Sequence, residues 1–167
     1  MAETLVNWFV EHLGGILSKE FIVFIVSLFP ILELRGGILA GYLLKVELLP
    51  TFIIAFIGNL LPIPFILLFI QFIFKILKKT PLKKFVFWCE DKALEKSESI
   101  KKYAYLGVYL FVAVPLPGTG AWMGALIASM LGMDNKKTFF VIALGVLTAG
   151  IIVSILSFGL LGALGIG

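Results

Sequence analysis

The chain has 167 residues, 60% of which are hydrophobic, and its mean hydropathy is +1.10. Soluble domains contain about 45–50% apolar residues, so this composition excludes an ordinary soluble protein. The net charge of +4 comes largely from one lysine-rich segment, so it gives no indication of nucleic-acid binding.

The N-terminal residues predict a helix at a membrane interface. Residues 4–17 place hydrophobic side chains near helical spacing, with polar residues between them. This pattern is typical of an amphipathic helix, and Trp8 suits the interface between lipid and water.

Two short apolar stretches follow, residues 21–32 and 38–44. Each is too short to cross a bilayer alone, because a crossing helix needs about 20 residues. Pro30 and the segment Glu33-Leu-Arg-Gly-Gly lie between them, and proline and paired glycines break helices. We therefore predict a re-entrant hairpin with its turn at residues 33–37 and a new helix from Ile38.

The next segment is long enough to cross the membrane. Residues 48–77 are predicted to span the bilayer with a kink at Pro62, and Asn59 is a polar residue inside the span. Nine lysines then fall within residues 75–102. Under the positive-inside rule they predict that segment 78–103 is cytoplasmic, and we expect it to be helical.

The second half of the chain repeats this arrangement. Short apolar limbs at residues 104–116 and 123–133 flank the proline- and glycine-rich segment 115–122, and residues 138–165 can cross the membrane. A shift of 87 residues aligns eight identical pairs between residues 30–60 and the second half, from Pro30 and Pro117 to Leu60 and Leu147. Composition alone gives about three, so we infer an internal repeat.

The predicted fold is an all-α integral membrane protein with one membrane domain, residues 1–167. Repeat 1 covers residues 18–77, the cytoplasmic segment covers 78–103 and repeat 2 covers 104–165. Each repeat is a re-entrant hairpin followed by a transmembrane helix, and the two repeats have opposite orientations. Such inverted repeats are the architecture of many secondary transporters. We expect a multi-pass protein of the plasma membrane.

Three segments resemble the small multidrug export family, which is itself similar to a distant branch of the DedA superfamily. They are Glu33-Leu-Arg-Gly-Gly, Gly58-Asn-Leu-Leu-Pro-Ile-Pro and Pro115-Leu-Pro-Gly-Thr-Gly-Ala-Trp-Met-Gly-Ala. The resemblance covers most of residues 20–160. It implies two re-entrant hairpins and the transport of lipid-linked phosphates, notably undecaprenyl phosphate. The acid and arginine of the first hairpin carry over to Glu33 and Arg35, whereas Trp122 stands where the DedA pattern has an arginine.

Arg35 is the only arginine of the chain, and a charge at membrane depth is costly enough to indicate a functional site. Its guanidinium suits an oxyanion, and backbone N–H groups at the glycine-rich tips and helix starts add donors. Glu33 either carries a proton or pairs with Arg35. The predicted substrate-binding residues are Glu33, Arg35, Gly36, Gly37, Asn59, Pro117, Gly118, Thr119, Gly120 and Trp122.

We therefore expect a transporter, and not an enzyme, that moves an amphipathic substrate with an anionic head, such as a polyprenyl phosphate or a phospholipid. No cofactor is predicted beyond a coupling proton or Na⁺. Because two membrane crossings are few to enclose a transport path, we expect a homodimer.

Two alternatives stay open. The first is proton-coupled export of cationic drugs at Glu33, and the second is a scaffold in membrane biogenesis that transports nothing. A buried ion pair that only fixes the hairpin tip is the purely structural alternative.

Overall fold

The computed structural model describes residues 17–116 and 118–161, and every regular element within these ranges is helical. The α-helices are α1 (Lys19–Leu28), α2 (Glu33–Leu43), α3 (Leu48–Leu60), α4 (Ile63–Leu77), α5 (Lys83–Ala113), α6 (Ala121–Met130) and α7 (Asn135–Ser154), and a π-helical segment (Ile155–Leu161) follows α7. The all-α prediction is confirmed for these residues. The predicted helix at residues 4–17 lies outside the described residues, except for Leu17.

Helices α1 and α2 form the first hairpin. Ser18 caps α1 by accepting a hydrogen bond from the backbone N–H of Phe21. The chain turns at residues 29–32, where the N–H groups of Leu32 and Glu33 both donate to the carbonyl oxygen of Phe29. The turn predicted at residues 33–37 is therefore wrong, and so is a helix start at Ile38, because α2 already begins at Glu33.

The second hairpin is formed by the last part of α5 and by α6. Helix α5 contains a break at Ala104, whose φ of 48° and ψ of −123° are not helical. Residues 103–113 then pack against α6, and residues 114–120 connect the two limbs. We call residues 114–120 the second loop.

Two helical stretches, Leu48–Ile70 and Asn135–Gly159, are long and apolar enough to cross a membrane. The first is interrupted where α3 gives way to α4 at Leu61 and Pro62, as the proline predicts. Helices α3 and α7 contact each other. Residues at the start of α3 and residues at the end of α7 line the same groove, which shows that these two helix ends lie side by side. The two helices therefore run antiparallel.

Two helix boundaries in the first half recur in the second half at the 87-residue offset. Helices α2 and α6 end at the C-caps Leu44 and Leu131, and α3 and α7 begin after the N-caps Glu47 and Asp134. The packing also corresponds, since α1 contacts α2 and α3 as the end of α5 contacts α6 and α7. Gly58 and Gly145 both lie close to a backbone carbonyl of the preceding hairpin, that of Phe24 and that of Tyr109.

The two equivalent N-caps should respond differently to truncation. The Asp134 carboxylate accepts a hydrogen bond from the N–H of Lys137 at 2.9 Å, whereas the Glu47 side chain makes no capping bond. We expect Asp134→Ala to lower the free energy of unfolding by about 1 kcal/mol. Glu47→Ala is the matched control and should change it by less than about 0.5 kcal/mol. Thermal unfolding of both variants in detergent measures the difference, and equal midpoints would contradict the assignment of the cap.

Candidate functional site

Glu33 of the first hairpin bonds to the start of a helix in the second hairpin. Its Oε2 accepts from the N–H of Ala121 at 3.0 Å, and its Oε1 accepts from the N–H of Trp122 at 3.1 Å. These are the first two residues of α6, whose N-cap, Gly120, has no side chain that could accept those bonds. A carboxylate suits this position, because a helix N-terminus has unpaired N–H groups and partial positive charge.

The backbone at both ends of this contact has an unusual conformation. Glu33 has a φ of 51°, in the left-handed region that a residue with a side chain rarely adopts. Gly120 has a φ of 138° and a ψ of −174°, which only glycine adopts readily. A Cβ on Gly120 would overlap the Glu33 carboxylate, so glycine is needed there for space as well.

Arg35 donates hydrogen bonds to carbonyl groups of the second loop. Its Nη1 donates to the carbonyl oxygen of Leu116 at 2.7 Å, and its Nη2 donates to the carbonyl oxygen and the hydroxyl of Thr119, at 3.2 and 3.0 Å. The Thr119 hydroxyl in turn bonds to the carbonyl oxygens of Leu116 and Val114, at 2.8 and 3.0 Å. The guanidinium therefore fixes the shape of the second loop.

Glu33 and Arg35 act on the loop separately. Of the described charged side chains, Lys78 and Glu90 form an ion pair at 2.7 Å, and no such pair joins Glu33 to Arg35. The alternative of an ion pair between Glu33 and Arg35 is therefore wrong. Both residues nevertheless fix the tip of the first hairpin, because each one hydrogen-bonds to residues 116–122. We call Glu33, Arg35 and their partners in residues 116–122 the interhairpin clasp.

Asn59 of α3 completes the polar surroundings of the carboxylate. Its side chain is 2% exposed and lies within hydrogen-bonding reach of Glu33, while its Oδ1 has no hydrogen-bond partner. A cavity of about 10 Å³, which is enough for one water molecule, is lined by Glu33, Arg35 and Asn59 together with apolar side chains, among them Leu34 and Ala149. We call it the polar cavity.

The other predicted site residues fall into three groups. Gly118, with a φ of 76°, lies in the second loop beside Thr119 and permits its turn. Gly36 and Gly37 lie inside α2, and the N–H of Gly36 donates to the carbonyl oxygen of Leu32. The prediction that these two glycines offer free donors to a substrate is therefore wrong. Pro117 lies outside the described residues.

The sequence did not identify the carbonyl group of Leu116 as part of the site, and it assigned the backbone N–H donors of residues 118–121 to a substrate rather than to Glu33. Backbone N–H and carbonyl groups carry no sequence signature, so these contacts could be found only indirectly. The available signal was a helix start at Gly120-Ala-Trp without a capping side chain, which calls for an acceptor from elsewhere in the chain. Among the residues whose positions are given, no three His, Cys, Asp or Glu side chains come together to hold a metal ion.

Comparison with known proteins gives one match. The model of the family described as "Putative small multi-drug export protein" matches residues 33–152, which include both helices long enough to cross a membrane apart from the last residues of the second, and all of the interhairpin clasp. No curated protein and no solved structure matches the chain.

Proposed function

The chain belongs to the family described as "Putative small multi-drug export protein", and we propose that it exports an amphipathic substrate whose anionic head binds at the interhairpin clasp. The family and the apolar helices make it a membrane protein of the export class. The nature of the substrate is our inference from the geometry of Glu33 and Arg35.

The observation that carries the proposal is the buried carboxylate on a helix start. Glu33 is 6% exposed, and it occupies the donor pair of Ala121 and Trp122 as an external anion would. The Arg35 guanidinium lies beside it, and both the helix end and the guanidinium favour negative charge. The clasp is thus an anion site that the protein fills with its own carboxylate.

Transport would then be an exchange of anions. The head of the substrate takes the two N–H groups of α6 when Glu33 leaves them, and Arg35 turns from the carbonyl oxygens of the second loop to the head. Protonation of Glu33 weakens its hold on the N–H groups, because a protonated carboxyl is a poorer acceptor. A proton on Glu33 and a substrate at the clasp would thereby be coupled.

The proposal includes two re-entrant hairpins, inverted repeats and a cytoplasmic segment 78–103. The matching ends of α2 and α6, the matching starts of α3 and α7 and the antiparallel course of α3 and α7 support it. Glu33 and Gly120 are equivalent positions of the repeat, and the carboxylate of the first lies against the second. Contact between equivalent positions is expected where two inverted repeats meet. A homodimer in the plasma membrane completes the proposal.

A second candidate is the export of cationic drugs, which the name of the family favours. In that case the Glu33 carboxylate would bind the cation. The clasp opposes this, because the start of α6 and the Arg35 guanidinium both repel a positive head.

Proteoliposomes can test the two candidates with probes that share a tail. We expect uptake of dodecyl phosphate and little uptake of dodecyltrimethylammonium. Arg35→Ala should lower phosphate uptake about tenfold or more, because charge-assisted hydrogen bonds are lost. Glu33→Gln should make phosphate uptake independent of a proton gradient. Lys136→Ala changes an exposed lysine outside the clasp and is the control, so it should leave phosphate uptake unchanged. Unchanged phosphate uptake in both site variants would refute the proposal, and faster uptake of the cation would favour the second candidate.

A further inference from the structure

An open groove of about 650 Å³ lies between the start of α3 and the end of α7. Its volume is within the range of about 300–1,000 Å³ that is typical of small-molecule sites. Phe52, Ile151 and Phe158 line it, and Ser154 contributes the one polar side chain among the lining residues. All of its lining residues belong to the two stretches that are long and apolar enough to cross a membrane, Leu48–Ile70 and Asn135–Gly159, so a hydrocarbon chain suits the groove.

Ser154 distinguishes this groove from an ordinary lipid-facing surface. The residue is 7% exposed, and its hydroxyl oxygen has no hydrogen-bond partner. A buried hydroxyl without a partner is unfavourable, and a polar atom of a ligand bound in the groove would satisfy it. The α-helix also changes into the π-helical segment directly after Ser154, and such changes occur frequently at functional sites.

The groove and the polar cavity share a wall. A Cβ on Gly150 would meet both the ring of Phe52, which lines the groove, and the side chain of Leu34, which lines the polar cavity. Ser154 follows Gly150 by four residues, or about 6 Å along the helix axis. A polar atom beside Ser154 would therefore lie about one helical turn along α7 from the wall that the groove shares with the polar cavity.

We propose that the groove binds the single alkyl tail of the exported amphiphile, and that Ser154 hydrogen-bonds to an ester, ether or amide oxygen that joins the tail to the anionic head. The location of the tail stands on the groove alone, while the identity of the head rests on the proposed function. The preferred substrate is then an acylated phosphate or carboxylate with a polar linkage, and a phosphate on a purely hydrocarbon chain binds more weakly because it makes no hydrogen bond to Ser154.

Photocrosslinking of the full-length protein in lipid nanodiscs tests this proposal. The probes are 1-acylglycerol 3-phosphate and an alkyl phosphate of equal length without the ester, each with a diazirine at the end of its tail. Peptide mass spectrometry should place the label at Phe52 and residues 151–158. The ester probe should label about fivefold more at equal concentration, as one additional hydrogen bond predicts.

Matched variants separate the groove from the rest of the surface. Ser154→Ala should abolish the preference for the ester probe, and Ser157→Ala should keep it, because Ser157 is equally buried but does not line the groove. Ile151→Trp should fill the groove and lower labelling at least tenfold, whereas Ile152→Trp, on the next residue and outside the lining, should not.

The outcomes also separate this proposal from the proposed function. Labelling spread evenly over the apolar surface, or an ester preference that survives Ser154→Ala, would each overturn the tail site, even where phosphate uptake depends on Arg35. Equal labelling by an uncharged monoacylglycerol would contradict the anionic head, which belongs to the proposed function. Label confined to the groove and sensitive to Ser154→Ala would support it, even where dodecyl phosphate is not transported.

Discussion

Gly120→Ala should lower the free energy of unfolding by about 3 kcal/mol, although it adds only one methyl group. Two costs combine in this estimate. The φ of 138° is strained for alanine by about 1–3 kcal/mol, and the new Cβ would overlap the Glu33 carboxylate and displace it from the buried N–H groups of Ala121 and Trp122, at about 1–3 kcal/mol. Thermal unfolding in detergent, followed by tryptophan fluorescence, should show a midpoint about 10 °C lower.

Gly132→Ala is the control for the conformational part of this effect. Gly132 also has a positive φ, of 66°, but a Cβ there would have no neighbour within 4 Å. We expect this variant to lose about 1 kcal/mol, the usual cost of a left-handed residue with a side chain. If the two alanine variants unfold at the same temperature, the contact between Gly120 and Glu33 does not stabilise the protein.

Glu33→Ala should lower the free energy of unfolding by about as much as Gly120→Ala does, because it removes the shared partner of several buried groups. The N–H groups of Ala121 and Trp122 would lose their acceptor, and the Arg35 charge would lose its nearby opposite charge. Removing one partner from such a buried arrangement typically costs about 3–5 kcal/mol.

Two further variants make this result specific. Glu33→Gln should fall between the wild type and Glu33→Ala, because the amide oxygen accepts from one N–H group while the amide NH₂ cannot accept from the other. Glu20→Ala removes an exposed carboxylate from the first turn of α1 and should cost less than about 1 kcal/mol. A Glu33→Gln variant as unstable as Glu33→Ala would show that charge, rather than hydrogen bonding, holds the second hairpin.

The sequence predicted the helical class and the position of the second loop, because long apolar runs and Pro115-Leu-Pro-Gly-Thr-Gly have few other interpretations. It misplaced the first turn. Paired glycines occur both in turns and where helices pack closely. Gly36 and Gly37 belong to the second kind, since a Cβ on Gly36 would crowd Leu32 and a Cβ on Gly37 would crowd Ser27. A single sequence cannot separate these two uses of glycine, so the turn was assigned to residues 33–37 instead of residues 29–32.

The partners of Glu33 were not predicted from the sequence. The sequence left its carboxylate either protonated or paired with Arg35, because those are the partners that side-chain chemistry suggests. The actual partners are backbone N–H groups 88 and 89 residues away, and they become available only because two hairpins meet. Asn59 was predicted as a site residue for its polarity within an apolar run, and the structure brings it to Glu33.

Glu33 and Arg35 lie two residues apart on the same helix, so any movement of α2 carries both charges together. With Glu33 ionised, the two charges cancel, and the electrical potential across the membrane exerts almost no net force on that movement. With Glu33 protonated, one positive charge remains. Moving that charge across the whole of a 100 mV potential changes its energy by about 2.3 kcal/mol, and a shorter movement changes it by less. In the proposed transport cycle, the protonation of a single buried carboxyl group would therefore determine whether the opening of the clasp is sensitive to voltage.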